Sequence, residues 1–144
     1  MKLSTKSTYG VRAMLNIALA DDGAISIADI AKREGISVAY LEQLLNKLRR
    51  SGLVASVRGP KGGYVRAREP GAITIKDIVA ILEGGIYPAH CVTSSAGARA
   101  ACKRRNGCVP KLIWVKLAKA ISDCLDSITL ADLCGESRAS ARSN

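Results

Sequence analysis

Leu41, Leu44, Leu45 and Leu48 return at steps of three, one and three, which places all four on one side of a helix. Ser37 stands where that helix needs an N-cap. Gly35 stands where a preceding helix closes in the left-handed conformation that glycine adopts freely. The preceding helix reads from Ser26 to Glu34, with Ile27, Ile30 and Ala31 inward and Ser26 or Asp29 near its amino end. Two helices joined by a three- or four-residue turn containing glycine make a helix-turn-helix. Many helical hairpins bind nothing, so what flanks the pair matters.

Upstream, Ser7 to Ala20 reads as a first helix, with Val11, Met14, Leu15 and Ala18 on one face and Asp21-Asp22-Gly23 as its stop. Downstream of about Ser51, Gly52 ends the third helix. Leu53 to Val57 reads as a strand, Arg58-Gly59-Pro60-Lys61-Gly62-Gly63 as a basic turn, and Tyr64 to Ala67 as a returning strand. Such a hairpin is the wing of a winged helix, or else an ordinary solvated loop. Its glycines allow close backbone approach to a phosphate or groove, and Arg58 and Lys61 supply charge. No Gly-Lys-Ser/Thr opens a helix after it, which argues against nucleotide hydrolysis.

Glu69-Pro70-Gly71 reads as a linker, followed by a fourth helix from Thr74 or Ile75 that Gly84-Gly85 ends. Ile86 to Pro110 lacks periodicity, and a long structureless stretch in a compact domain is usually functional or disordered. Lys111 to about Thr129 reads as a long amphipathic helix with Ile113, Leu117, Ile121, Leu125 and Ile128 in a stripe and Leu112 and Trp114 beside it. A second copy of the chain is the preferred cover for that stripe, with folding back on its own domain the alternative. Glu136 to Asn144 reads as a polar tail. The expected fold class is mainly α: a winged helix-turn-helix with a small two-stranded β-wing and a long C-terminal dimerisation helix. The expected divisions are residues 1–70 for DNA binding, 71–134 for dimerisation and a sensor loop at 86–110, and 135–144 as a disordered tail.

Composition fits this plan. Apolar residues make up 48% and Phe is absent, so the core comes from Ala, Ile, Leu and Val. No apolar run approaches the ~20 residues that span a bilayer. Met1-Lys2-Leu3-Ser4-Thr5-Lys6 is too polar for a signal peptide, and a cytoplasmic setting is expected. The net charge of +10 is spread over both halves and favours a polyanionic partner, although basic enzymes share the trait. A single histidine, with no Ser/His/Asp, paired-carboxylate or Cys/His arrangement, speaks against an enzyme.

Three of the five cysteines, Cys91, Cys102 and Cys108, lie in the aperiodic loop with ten and five residues between them. Thiolates are soft ligands for iron–sulfur clusters, zinc or copper(I). Arg99, Lys103, Arg104 and Arg105 accompany them, and nearby positive charge favours the thiolate and offsets an anionic cluster. Zinc knuckles with Cys-x-x-Cys spacing are missing, so an iron–sulfur cluster is the better expectation, with three unligated thiols the other. The fourth ligand is open: His90 reads as a surface residue, Cys124 as core, and Cys134 as a loose possibility.

Lys2-Leu3-Ser4-Thr5-Lys6, Tyr9-Gly10-Val11-Arg12-Ala13-Met14, Tyr40-Leu41-Glu42-Gln43-Leu44, Val57-Arg58-Gly59-Pro60-Lys61-Gly62-Gly63-Tyr64 and Asp126-Ser127-Ile128-Thr129-Leu130 together resemble the IscR/NsrR/CymR-type family of winged-helix iron–sulfur transcriptional regulators. The likeness covers roughly residues 1–134 and points to the IscR-like branch. It implies a homodimer that binds promoter operators in double-stranded DNA, with the third helix in the major groove and the wing at the minor groove. Ser37, Tyr40, Glu42, Gln43, Lys47, Arg58 and Lys61 are the DNA-binding candidates. Glutamate accepts from cytosine, glutamine pairs with adenine, and arginine suits a narrow minor groove; a capping role is the alternative for Glu42. The likeness also implies a 2Fe–2S cluster on Cys91, Cys102 and Cys108. That branch carries a histidine where this chain has Lys111, and another branch uses an acidic residue where this chain has Thr8. Competing functions are a cluster-free thiol- or partner-sensing repressor of sulfur or cysteine metabolism, and a protein-interaction adaptor that contacts no DNA.

Overall fold

The computed structural model describes residues 3–21, 23–104 and 106–144; Met1, Lys2, Asp22 and Arg105, which figure in the sequence analysis, and the side chain of Ala98 lie outside the described residues. Helix α1 (Thr5–Leu19) starts on Ser4, whose hydroxyl accepts from the Lys6 amide, and turns Ala13, Met14, Ile17 and Ala18 inward. Helix α2 (Ile27–Glu34) is capped by Ser26 and closes on Gly35 at φ 65°. Helix α3 (Val38–Arg50) begins where Ser37 Oγ accepts from the Tyr40 amide at 3.1 Å, and buries Leu41, Leu44, Leu45 and Leu48. Short polar caps and one left-handed glycine thus set the helix-turn-helix.

Strands β1 (Val54–Val57) and β2 (Gly63–Arg66) pair antiparallel, with Val54 opposite Arg66 and Val57 opposite Gly63. The hairpin is anchored at both sides. The Leu53 amide donates to Leu48 O and its carbonyl accepts from the Ala67 amide, while Tyr64 and Ile25 exchange a pair of backbone bonds. Helix α4 (Ile75–Glu83) opens on a Thr74–Asp77 capping box and closes on Gly84 at φ 77°. It lies against α1 at Gly10, where a Cβ would come 2.0 Å from Leu82 Cδ1 and the leucine would have to shift.

The segment from 86 to 110 is not wholly irregular. A 3-10 turn covers His90–Val92 and a short helix, α5 (Ala96–Ala100), follows. Helix α6 (Lys111–Asp126) has no buried residue. Its expected stripe divides: Leu125 and Ile128 pack against the core, while Ile113 and Leu117 are exposed with Leu112, Trp114 and Val115. The chain's own domain therefore covers only the far end of the stripe.

The expected disordered tail is the main correction. Helix α7 (Leu130–Arg142) runs through it. A second capping box, Thr129 with Asp132, starts α7, and the Leu130 amide donates to Ile73 O at 2.8 Å beside the return bond from Ile75 to Ile128. Leu130 and Cys134 are buried, and Arg138 reaches Asp21 at 2.6 Å. Cys124, expected in the core, is exposed, and Cys134, the loose possibility for a fourth ligand, is core. Burial raises the Cys134 thiol above its ordinary value, with Arg138 and Arg66 opposing. One hydrophobic core joins α1, α2, α3, β1, α4 and α7, so side-chain packing does not break at residue 70.

Candidate nucleic-acid interface and cysteine cavity

The leucine stripe of α3 turns Glu42, Gln43 and Lys47 outward, and all three are exposed. Neither Glu42 nor Gln43 makes a side-chain hydrogen bond among the described residues, and the cap of this helix is Ser37 rather than Glu42. Ser37 spends its hydroxyl as acceptor on that cap, yet remains exposed. Tyr40 is half-buried. Its ring meets Tyr9 edge-on at 6.2 Å between centroids, its hydroxyl lies 3.2 Å from Thr5 Oγ1, and Arg12 stacks over Tyr9 at 5.8 Å. Lys47, Arg49 and Arg50 crowd the last turn, where the helix dipole favours cations.

The wing follows without a linker, since Gly52 and Leu53 turn α3 directly into β1. Arg58 and Lys61 are exposed at its tip. The tip turns on Gly59 at φ 112°, with the Gly62 amide donating to Gly59 O at 2.9 Å. Glycine is needed again at 62 and 63, where a Cβ would lie 2.2 Å from the carbonyl oxygens of Val57 and Ile25 respectively. A mixed polar helix face and a cationic hairpin tip can together meet base edges and phosphates of a duplex.

Cys91, Cys102 and Cys108 line one cavity of about 40 Å³ with Arg99, Arg104 and Lys111. All three thiols are half-buried. The donor set suits a soft metal in kind, and the cations suit an anionic group. Among the described residues, though, no three or more His, Cys, Asp or Glu side chains are gathered closely enough to hold a metal. His90 is exposed and borders a neighbouring opening with Cys91 and Cys102. Thr8 is exposed on α1, so neither it nor Lys111 supplies a typical fourth ligand.

A feature that sequence reasoning missed ties the end of α4 to the start of α1. Glu83, the last residue of α4, accepts from the Ser4 amide at 3.2 Å, from the Ser4 hydroxyl at 2.5 Å and from the Ser7 hydroxyl. Burial alone would raise its carboxyl, but these hydrogen bonds and the charge of Lys6 hold it below its ordinary value. Nothing in local periodicity pairs residues so far apart in the chain.

A comparison with protein families matches residues 3–136 to Rrf2, described as an iron-dependent transcriptional regulator. The HTH-type transcriptional regulator IscR of Yersinia pestis is 40% identical over 134 residues, 92% of this chain and 79% of that protein. Its counterpart in Erwinia tasmaniensis is 40% identical over 92% of this chain and 78% of its own length. Among solved structures, T. potens IscR superposes with a TM-score of 0.75 at 40% identity, covering 95% of this chain and 88% of that one. CymR, the global cysteine regulator of B. subtilis, gives 0.74 at 38% identity, covering 94% and 98%. The exposed helix face, the wing and these likenesses agree: the chain belongs to the Rrf2 family of winged-helix transcriptional regulators, is IscR-like within it, and is not an enzyme.

Proposed function

We propose that this regulator binds promoter operators as a homodimer and reports iron–sulfur status through the Cys91, Cys102 and Cys108 loop. Exposure of Glu42, Gln43 and Lys47 on α3, continuous with Arg58 and Lys61 on the wing, is the observation that carries the DNA half of this reading. In it, Glu42 and Gln43 read base edges, Arg58 enters the minor groove, and Ser37, Tyr40, Lys47 and Lys61 hold the backbone. Residues 1–70 form the DNA-binding part, and α6 and the cysteine loop form the dimerising and sensing part. A cytoplasmic setting belongs to the same reading; no described helix is long and apolar enough to cross a membrane.

The three thiols would hold the cluster, with Arg99, Arg104 and Lys111 offsetting its charge. A bound cluster would supply a redox-active centre whose gain, loss or oxidation would change the charge held by the loop. Replacing Arg58 and Lys61 by Ala is expected to weaken DNA binding and to lower the salt slope by about one for each phosphate no longer neutralised. Unchanged affinity would favour the adaptor. Anaerobic reconstitution should give coloured protein containing iron and sulfide, and Cys91, Cys102 and Cys108 changed to Ala should give neither.

A second reading has its own support. The thiols are not gathered as ligands, and CymR structures are among the neighbours. In that reading the loop is a cluster-free thiol or partner sensor of a sulfur or cysteine-metabolism repressor. Colourless wild type whose DNA binding responds to oxidant, and loses that response when the three cysteines become Ala, would select it.

A further inference from the structure

We infer that Glu83 is a positioning residue for DNA recognition, relaying the state of the cysteine loop to α3 through the first turn of α1. The inference rests on the reading of that loop as sensor and of α3 as the DNA-reading helix. Glu83 closes α4, where the dipole of its own helix disfavours a carboxylate. Its acidity is explained by α1 instead. One oxygen, Oε1, receives the Ser4 amide, the Ser4 hydroxyl and the Ser7 hydroxyl, at the end of a helix where amides lack partners. Ser7 is only 2% exposed, so its hydroxyl depends on this acceptor. Ser4 is at the same time the N-cap of α1. The carboxylate therefore fixes where α1 begins.

Each end of this contact leads to one of the two functional regions. Gly84 at φ 77° and Gly85 at φ 127° follow Glu83 directly, and the chain then enters the cysteine loop. Tyr87 lies over Gly85 so closely that a Cβ there would fall 2.0 Å from the ring. Two adjacent glycines at a helix exit can take up a change of direction that other residues resist. At the opposite end, Thr5 and Tyr9 of the same α1 turns hold Tyr40, two residues before Glu42. Gly10 lets α1 pack tightly on Leu82 of α4. A displacement at the end of α4 then moves the α1 terminus rather than dispersing in a loose interface. The first turns of α1 thus bridge the loop exit and the recognition helix, beside the direct packing of α4 on α3.

The test compares wild type, Glu83→Gln and Ser7→Ala, each anaerobically reconstituted and metal-free. The probe is a duplex enriched from a random pool by the wild type, read by fluorescence anisotropy. Wild type is expected to bind with affinities that differ between the two forms. Glu83→Gln is expected to shrink that ratio by about threefold or more, a loss of coupling near 0.7 kcal/mol. Ser7→Ala, which keeps the carboxylate and the Ser4 cap, should move the ratio the same way by less and stands in if Glu83→Gln fails to fold. A purely structural Glu83 would lower Tm and weaken both forms by one common factor, leaving the ratio intact, and that result overturns the inference. Equal binding of both forms by wild type would remove the sensor reading and this inference with it. A wild-type ratio that survives in the variants removes this inference alone.

Discussion

A serine hydroxyl as deeply buried as that of Ser7 is stable only with an acceptor, and Glu83 provides a charged one. Ser7→Ala removes one of three donors to Oε1 and is expected to cost about 1–2 kcal/mol, read as a lower denaturation midpoint at neutral pH. The pH dependence has a definite sign. Because Glu83 is held below its ordinary value near 4.5, its contribution is complete above that value and fades as pH falls through the lower folded-state value. The gap between wild type and Ser7→Ala should therefore narrow in acid, and a gap independent of pH would mean that the hydroxyl is not serving the carboxylate. Asp132 is lowered in the same direction by the Thr129 amide and hydroxyl, so it adds to acid sensitivity without depending on Ser7.

The wing is held by backbone geometry as much as by its pairing. At Gly63, φ is 153° and a Cβ would press on the Ile25 carbonyl, which accepts from the Tyr64 amide at 2.8 Å. Gly63→Ala is expected to loosen the hairpin from Ile25 and to weaken DNA binding while leaving every charge in place. Amide exchange at Tyr64 and Ile25 should rise; unchanged protection would contradict this account. Gly35, Ser37 and Gly84 mark helix ends because their local chemistry is unfavourable for anything else, and the leucines of α3 carry their own period. Helix α7 was hidden because Leu130, Leu133 and Cys134 are its only large apolar residues and the rest is mostly Ser, Arg, Ala and Gly. The Thr129–Asp132 spacing was the available signal, since a threonine three residues before an acid can cap a helix start. Cys124 lies on the same helix as the apolar stripe, but periodicity cannot say which part of a stripe the domain itself covers. The outward positions of Glu42, Gln43 and Lys47 were legible from the leucine spacing of α3; the grip of Glu83 on α1 was not, because it joins residues more than seventy positions apart.

At the scale of the molecule, α6 is the element whose sequence and surroundings disagree. Its outer half presents Leu112, Ile113, Trp114, Val115 and Leu117 to solvent, although each would gain from burial. Its inner half borders a groove of about 400 Å³ lined by Leu3, Val79, Ile86, Tyr87, Ile121 and Leu125. A second copy related by a two-fold axis would cover both chains' stripes with the same residues, and each well-buried aliphatic side chain contributes roughly 1.5–3 kcal/mol. Two wings and two α3 helices would then face two half-sites at once, which raises affinity through effective concentration without any new interaction at either half-site. Ile113→Asp tests this at a side chain 59% exposed in the single chain, so helix content by circular dichroism should not change. Sedimentation is expected to give a dimer for wild type and a monomer for the variant. Affinity for a two-half-site duplex should fall by about tenfold or more, and affinity for a single half-site should hardly move. A monomeric wild type, or a variant that binds both duplexes as wild type does, would mean that something other than a second copy covers α6.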